Sequence, residues 1–86
     1  MIPIHSLQTA YCFLHQKRNV YLHSTLDWQK DDIEYAIAEY ADAMDKQLLI
    51  MLAQGRKDFL KEHTCFRADI DSAVTQLEAM LHQAQA

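Results

Sequence analysis

The chain has 86 residues, half of them apolar, and a net charge of −4, which predicts a single domain over residues 1–86 with a folded core. It contains one glycine and one proline, too few for the turns of an all-β domain or for a glycine-rich phosphate loop, so the composition predicts an all-α protein. The chain has 12 acidic and 8 basic side chains, and this acidic excess argues against general binding to nucleic-acid phosphates.

The first element, residues 6–23, is the least certain. Leu7, Tyr11 and Leu14 follow a helical spacing, and Ser6 is a candidate N-cap. Tyr11–Leu14 and Val20–Leu22 are also rich in residues that favour β-strands, so a β-hairpin is an alternative for this segment. Because the favoured hairpin turns need Asn-Gly or Asp-Gly, which this segment lacks, a helix is favoured.

The middle element is predicted as a helix over residues 27–54. Ser24, Thr25 and Asp27 are candidate N-caps, and Gly55 stands where a left-handed residue would end the helix. Asp45 could instead start a new helix, which would place a kink near residues 44–46. The main apolar stripe contains six residues: Ile33, Ile37, Tyr40, Met44, Leu48 and Met51.

This middle helix also has apolar residues away from its main stripe. Trp28, Tyr35 and Leu49 lie at multiples of seven residues, nearly opposite the main stripe. A helix that is apolar on two sides must be covered on two sides. Either the N-terminal segment buries all three residues, or they form a partner-binding surface in a homo-oligomer or another protein complex. The second interpretation is favoured.

The last element is predicted as one amphipathic helix over residues 56–84, although Thr64 could cap a shorter version. The expected fold is thus a small three-helix bundle, or a four-helix bundle if the middle helix breaks. It would have two long antiparallel helices joined across Gly55 and a shorter N-terminal helix. The apolar stripe of the last helix has ten members: Phe59, His63, Phe66, Ile70, Ala73, Val74, Leu77, Met80, Leu81 and Ala84.

Charge is distributed in blocks along the chain. Residues 1–25 carry +2, residues 26–45 carry −6, residues 46–67 carry +3 and residues 68–86 carry −3. Blocks of opposite sign predict that the corresponding elements lie side by side. The basic and aromatic strip around Tyr11, Lys17, Arg18 and Tyr21 is expected to contact the acidic middle helix.

Histidine and cysteine side chains do not form a recognisable metal-binding pattern. Cys12, His15 and His23 could share a helix face, whereas His63 and Cys65 would point apart on a helix, and zinc sites need three or four convergent ligands. His63 is therefore expected at the edge of the core and Cys12 as a small buried side chain. No metal, cofactor or catalytic residue is predicted.

One short motif carries a resemblance to a known family. The stretch from Arg18 to His23 resembles the HEPN-type ribonuclease motif, an arginine followed by histidine after four to six residues, and Arg56 with His63 is a looser match. The resemblance implies an RNA-cleaving dimer in which Arg18 and His23 would orient and protonate a scissile phosphate.

The absence of catalytic motifs and the two-sided middle helix favour a different function. We expect a non-enzymatic protein-interaction or oligomerisation module, with the HEPN-like RNA-cleaving or RNA-binding protein as the alternative. No basic leader and no apolar run near 20 residues are present, and the two distant cysteines need not pair. These features predict a soluble cytoplasmic protein that does not bind membranes.

Overall fold

The computed structural model describes residues 2–85, which form four packed α-helices and no β-strand. The all-α prediction is confirmed, and the hairpin considered for the first segment is wrong. The helices are α1 (Ile4–His23), α2 (Asp27–Ala43), α3 (Lys46–Ala53) and α4 (Phe66–Gln85).

Helix α1 begins earlier than the sequence predicted. Its N-cap is Pro3, whose carbonyl accepts hydrogen bonds from the N–H groups of Ser6 (3.0 Å) and Leu7 (3.3 Å). Proline suits a helix start because it has no N–H group to leave unpaired. Ser6 therefore lies inside the helix and does not cap it. With 20 residues, α1 is as long as α4, so the prediction of a shorter N-terminal helix is wrong.

The middle segment forms two helices instead of one. Met44 adopts an extended conformation, and the Asp45 carboxylate accepts hydrogen bonds from the N–H groups of Gln47 (2.9 Å) and Leu48 (3.2 Å). These bonds satisfy two of the donors that a new helix leaves unpaired. The alternative start at Asp45 is thus confirmed, and the continuous helix over residues 27–54 is wrong.

Helix α3 ends in left-handed backbone. Gln54 has φ of 52° and Gly55 has φ of 87°, a conformation that glycine adopts without the steric cost other residues incur. The predicted helix end at Gly55 is confirmed. The chain does not resume a helix at Arg56, however. It passes through turns until α4 begins at Phe66, so the single helix predicted over residues 56–84 is wrong in its first ten residues.

A buried carboxylate explains why this connection, residues 54–65, leaves the helical path. Asp69, in the first turn of α4, is only 2% exposed. Its side chain accepts a hydrogen bond from the Leu60 N–H (3.1 Å) and forms an ion pair with Arg56. Leu60 has a positive φ of 65°. These bonds hold the connection against α4 and direct Phe59 and Leu60 into the core.

Helix α1 lies between its neighbours and runs antiparallel to α4. Tyr21, near the end of α1, contacts Phe66 at the start of α4 with 4.9 Å between ring centroids. At the opposite end of this pair, Tyr11 and His82 line one cleft. The most extensive helix packing is therefore α1 against α4, whereas contact across Gly55 involves the short α3 and α4. The predicted long hairpin of the middle and last segments is wrong in this respect.

The core joins the apolar faces of all four helices with the connection. The predicted stripe of α4 is confirmed at its buried positions Phe66, Ile70, Ala73, Val74 and Leu77. In the middle segment Met51 is exposed, because the break at Asp45 changes the face that α3 presents. The main buried contributors from the remaining segments are Leu7, Leu14, Tyr21, Ile33, Ile37, Met44, Leu48, Leu52, Phe59 and Leu60.

Oppositely charged blocks do lie side by side. Arg18 on α1 pairs with Asp71 on α4 at 3.1 Å, and Lys61 in the connection pairs with Asp42 on α2 at 2.7 Å. Arg18 therefore contacts the acidic start of α4 and not the acidic middle helix as predicted. Helix α1 does meet the acidic α2 elsewhere: the Tyr21 hydroxyl lies beside the Glu34 carboxylate, and the rings of Phe13 and Tyr40 stack at 4.3 Å between centroids.

Candidate functional site

The outward face of α2 presents two large aromatic side chains. Trp28 is 61% exposed and Tyr35 is 67% exposed. Seven residues are almost two helical turns, so both side chains lie on one face, about 10.5 Å apart along the axis. Ile33 and Ile37 are buried on the opposite side of the same helix. The predicted second apolar face of the middle segment is therefore present, and α1 does not cover its aromatic residues.

Acidic residues accompany this aromatic pair. Asp32 and Glu39 are exposed and follow Trp28 and Tyr35 by four residues each, so they share the stripe. The Glu39 carboxylate interacts with the Tyr35 hydroxyl and raises the pKa of that phenol. Across its 17 residues, α2 has six acidic side chains and one basic side chain, Lys30. We name the stripe formed by Trp28, Asp32, Tyr35 and Glu39 the α2 face.

Leu49, the third residue of the predicted partner-binding set, has a different environment. It lies on α3, is half-buried and packs against the core. The break at residues 44–45 interrupts the seven-residue spacing that linked Leu49 to Trp28 and Tyr35. Its participation in partner binding stays a prediction, while the α2 face itself depends on residues of one helix.

Arg18 and His23, the pair behind the HEPN resemblance, each have their own partner within the chain. The Arg18 guanidinium donates to Asp71 at 3.1 Å. His23 Nδ1 lies 2.7 Å from the Asn19 carbonyl oxygen, one turn earlier in α1. The looser pair is also engaged, because Arg56 binds Asp69 and His63 contacts Glu34. Arg18 thus links α1 to α4, His23 contacts its own helix, and Arg56 and His63 connect residues 54–65 to α4 and α2.

A second polar cluster forms where the connection meets α2. His63 Nδ1 lies 2.9 Å from both carboxylate oxygens of Glu34. Asp31 is one turn earlier on α2, and donor atoms of Asp31, Glu34 and His63 all lie within 4.8 Å of one another. The prediction that His63 sits at the core edge is wrong: its side chain is 73% exposed, because the connection is not helical there.

The electrostatics of this cluster are dominated by Glu34. The hydrogen bond and charge of Glu34 raise the pKa of His63, and Asp31 and Asp27 act in the same direction. Burial raises the pKa of Tyr21 on α1, with a further contribution from the Glu34 carboxylate beside its hydroxyl. Glu34 therefore interacts with α1 and with the connection at once.

The remaining histidine and cysteine candidates do not converge. Cys12 is exposed, contrary to the buried position predicted for it, and Cys65 is half-buried; neither forms a disulfide. The ring of His15 stacks on Tyr11 at 5.3 Å between centroids. The sequence pattern Cys12, His15 and His23 corresponds to no metal-binding group within residues 2–85.

An apolar groove lies at the other end of the bundle, between the start of α1, α3 and the end of α4. Its volume is about 520 Å³, and Ile50 in its wall is 69% exposed. The groove lacks charged lining residues, and Gln47 is its one polar lining residue, so it offers few polar groups to orient a ligand. The lining residues are Ile2, Leu7, Gln47, Ile50, Met51 and Met80.

Comparison with known proteins yields no relative: no protein-family model, curated protein or solved structure matches the chain. Within residues 2–85, no helix combines the length and apolar character needed to cross a bilayer. Functional inference therefore depends on the surfaces and side-chain clusters of the chain itself.

The sequence pattern identified Trp28 and Tyr35 of the α2 face but not its carboxylates, and it did not indicate the cluster around Glu34. In the sequence, Asp31 and Glu34 fit the acid-favouring start of a helix, and His63 fits the stripe predicted for the last helix. The signal available in the sequence was the three-residue spacing of Asp31 and Glu34, which places both carboxylates on one face. The approach of His63 depends on the irregular connection, which the periodicity did not indicate.

Proposed function

We propose that the protein is a non-enzymatic interaction module that binds a basic, apolar segment of another protein through the α2 face. The observation that carries this proposal is the exposure of Trp28 and Tyr35, two aromatic side chains aligned on one helix. The fold does not need them for its core, since α2 buries Ile33, Ile37 and Ala41 on its other side.

Aromatic pairs of this kind supply most of the binding energy in many interfaces. Tryptophan and tyrosine are enriched among interface hot spots because they bury a large area at a small cost in side-chain entropy. The indole N–H and the phenol O–H can still form hydrogen bonds at the rim of an interface. Trp28 and Tyr35 would therefore serve as anchors for a partner laid along α2.

Charge indicates the chemistry of the partner. The exposed carboxylates of Asp32 and Glu39 flank the aromatic pair, which favours lysine or arginine on the opposing surface. A symmetric homodimer through this face would bring the carboxylates of both copies into one interface, where the α2 face has no basic side chain to pair with them. We therefore favour a different, basic partner over the homo-oligomer. In either complex, Leu49 would also take part in binding.

Trp28 is the single tryptophan of the chain, so its fluorescence reports directly on the α2 face. The test is a fluorescence titration with a synthetic amphipathic helical peptide of leucine and lysine, alongside a matched peptide of leucine and glutamate. We expect a saturable blue shift with the basic peptide, because burial removes the indole from water. The acidic peptide should produce no shift.

Two variants assign the binding to the α2 face. Tyr35→Ser should weaken the basic peptide's binding by about tenfold or more, as expected for an interface anchor, whereas Ile50→Ser changes an exposed apolar residue on α3 and should leave it unaltered. Equal weakening by both variants, or equal binding of both peptides, would contradict the proposal. Light scattering after size-exclusion chromatography completes the test. A dimer that Tyr35→Ser dissociates would identify a second copy as the occupant.

The RNA-cleaving alternative has less support from the geometry. A nuclease role would need Arg18 free to contact a phosphate, yet Arg18 is ion-paired with Asp71. Purified protein should accordingly leave a single-stranded RNA intact. Cleavage that His23→Ala abolishes in a folded variant would reverse this ranking.

A further inference from the structure

We propose that Asp31, Glu34 and His63 form a binding site for one divalent transition-metal ion, with Zn²⁺ as the best-fitting ion. Their donor atoms, two carboxylate oxygens and one imidazole nitrogen, lie within 4.8 Å of one another. This site goes beyond the proposed function, because it uses different residues from the aromatic anchors of the α2 face.

The donor types select the class of metal. Zn²⁺ binds imidazole nitrogen and carboxylate oxygen, and sites with three protein ligands leave the fourth position to water. Mg²⁺ and Ca²⁺ prefer sets of oxygen ligands, so the His63 nitrogen disfavours them. Because Asp31 and His63 are exposed, a water molecule can reach the remaining coordination position without any movement of the chain.

The fold brings these ligands together from two elements. Asp31 and Glu34 are three residues apart and therefore neighbours on one face of α2. His63 comes from the connection, which also contacts α2 through the ion pair of Lys61 with Asp42 at 2.7 Å. The approach of His63 to α2 thus has support outside the cluster itself.

Glu34 is the least exposed of the three ligands. Its side chain is mostly buried and lies beside the Tyr21 hydroxyl on α1, an arrangement like the outer-shell partners that orient ligands in metal sites. Neighbouring charges are mixed: Asp27 adds negative charge on α2, while Arg67 on α4 is close enough to act on Tyr21. A bound cation would link the connection to α2, and through Glu34 it would lie close to α1 as well.

Isothermal titration calorimetry of the full chain with Zn²⁺, after treatment with a chelator, tests the site. We expect saturable binding of one ion per chain and an increase in melting temperature, since a ligand that binds only the folded state stabilises it. Mg²⁺ at the same concentration should give neither effect. If Zn²⁺ fails to bind saturably, the proposal is wrong.

Variants distinguish this site from general binding to surface histidines. His63→Ala and Glu34→Gln should each weaken Zn²⁺ binding by more than about tenfold, because loss of an outer-shell partner alone costs about 10–100-fold. His82→Ala alters another exposed histidine, on α4, and should leave the affinity unchanged. His63 is exposed, so its variant should remain folded, which circular dichroism would verify. Unaltered binding by His63→Ala would overturn the assignment.

Discussion

Helices α2 and α4 use their apolar residues in different ways. The large apolar side chains of α4 form one stripe that is buried at Phe66, Ile70 and Leu77. Helix α2 buries Ile33 and Ile37 but leaves Trp28 and Tyr35 in solvent. Packing in the core explains why the stripe of α4 is apolar. It does not explain the two aromatic residues of α2, because both are exposed. That difference is the observation that supports the partner-binding surface proposed for α2.

The largest effect should come from the buried stripe of α4. Leu77→Asp places a charge at a fully buried position, and an unpaired buried charge costs several kcal/mol. This is comparable to the total stability of about 5–15 kcal/mol of a small domain. We expect loss of the cooperative unfolding transition in a thermal melt followed by circular dichroism.

The matched control for this change is Ala79→Asp, at an exposed position of the same helix. It introduces the same carboxylate without burying it and should alter the melting transition only slightly. A Leu77→Asp melt equal to that of the control would show that the stripe of α4 does not face the core.

The second prediction concerns the carboxylate that holds the connection. Asp69→Ala removes the acceptor for the buried Leu60 N–H and the partner of Arg56. A buried donor left without a partner costs about 1–3 kcal/mol, so urea unfolding should show a decrease of that size in the free energy of unfolding. Asp71→Ala breaks an ion pair at a more exposed site, where such pairs contribute about 0–1 kcal/mol. Equal effects of the two variants would contradict the anchoring role of Asp69.

The third prediction sharpens the contrast within α2. The double variant Trp28→Ser with Tyr35→Ser changes two exposed residues and should alter the free energy of unfolding by no more than about 0.5 kcal/mol per site. Ile37→Ala, on the buried side of the same helix, should cost about 2–5 kcal/mol. A double variant as destabilised as Ile37→Ala would show that the aromatic residues support the fold and would weaken the case for a binding surface.

Periodicity was sufficient to predict the parts of the fold that are regular helices. The buried positions of α4 and the main stripe of α2 followed from spacing alone, because burial of one face decides which residues turn inward. The start of α3 was also visible as an alternative, since aspartate at a helix start has a specific hydrogen-bonding role. The sequence did not decide between one helix and two in the middle segment. The aspartate favours a new helix start there, whereas the continuous apolar stripe favours a single helix.

The connection could not be predicted from spacing. Phe59 and His63 fit the periodicity of α4, yet Asp69 binds the Leu60 N–H and Arg56 instead, which favours turns over helix. This contact joins residues nine positions apart and leaves no periodic signal. The approach of His63 to Glu34 depends on the turns that this contact favours. The proposed metal site depends on that approach. Trp28 and Tyr35 were predictable because they need only the local geometry of one helix.

The smallest effect expected is the pH dependence of the contact between His63 and Glu34. Glu34 raises the pKa of His63 in the folded chain, above the unfolded value of about 6.5. The protonated imidazolium therefore stabilises the folded state fully below that unfolded pKa, and this contribution disappears as pH rises through the folded pKa.

A double-mutant cycle of His63→Ala and Glu34→Gln, measured by urea unfolding with a chelator present, isolates the coupling between the two side chains. The coupling should be measurable at about pH 5.5, where the imidazole is charged, and smaller at about pH 8.5. A coupling equal at both pH values would mean that the charge of the imidazole does not stabilise the contact between His63 and Glu34.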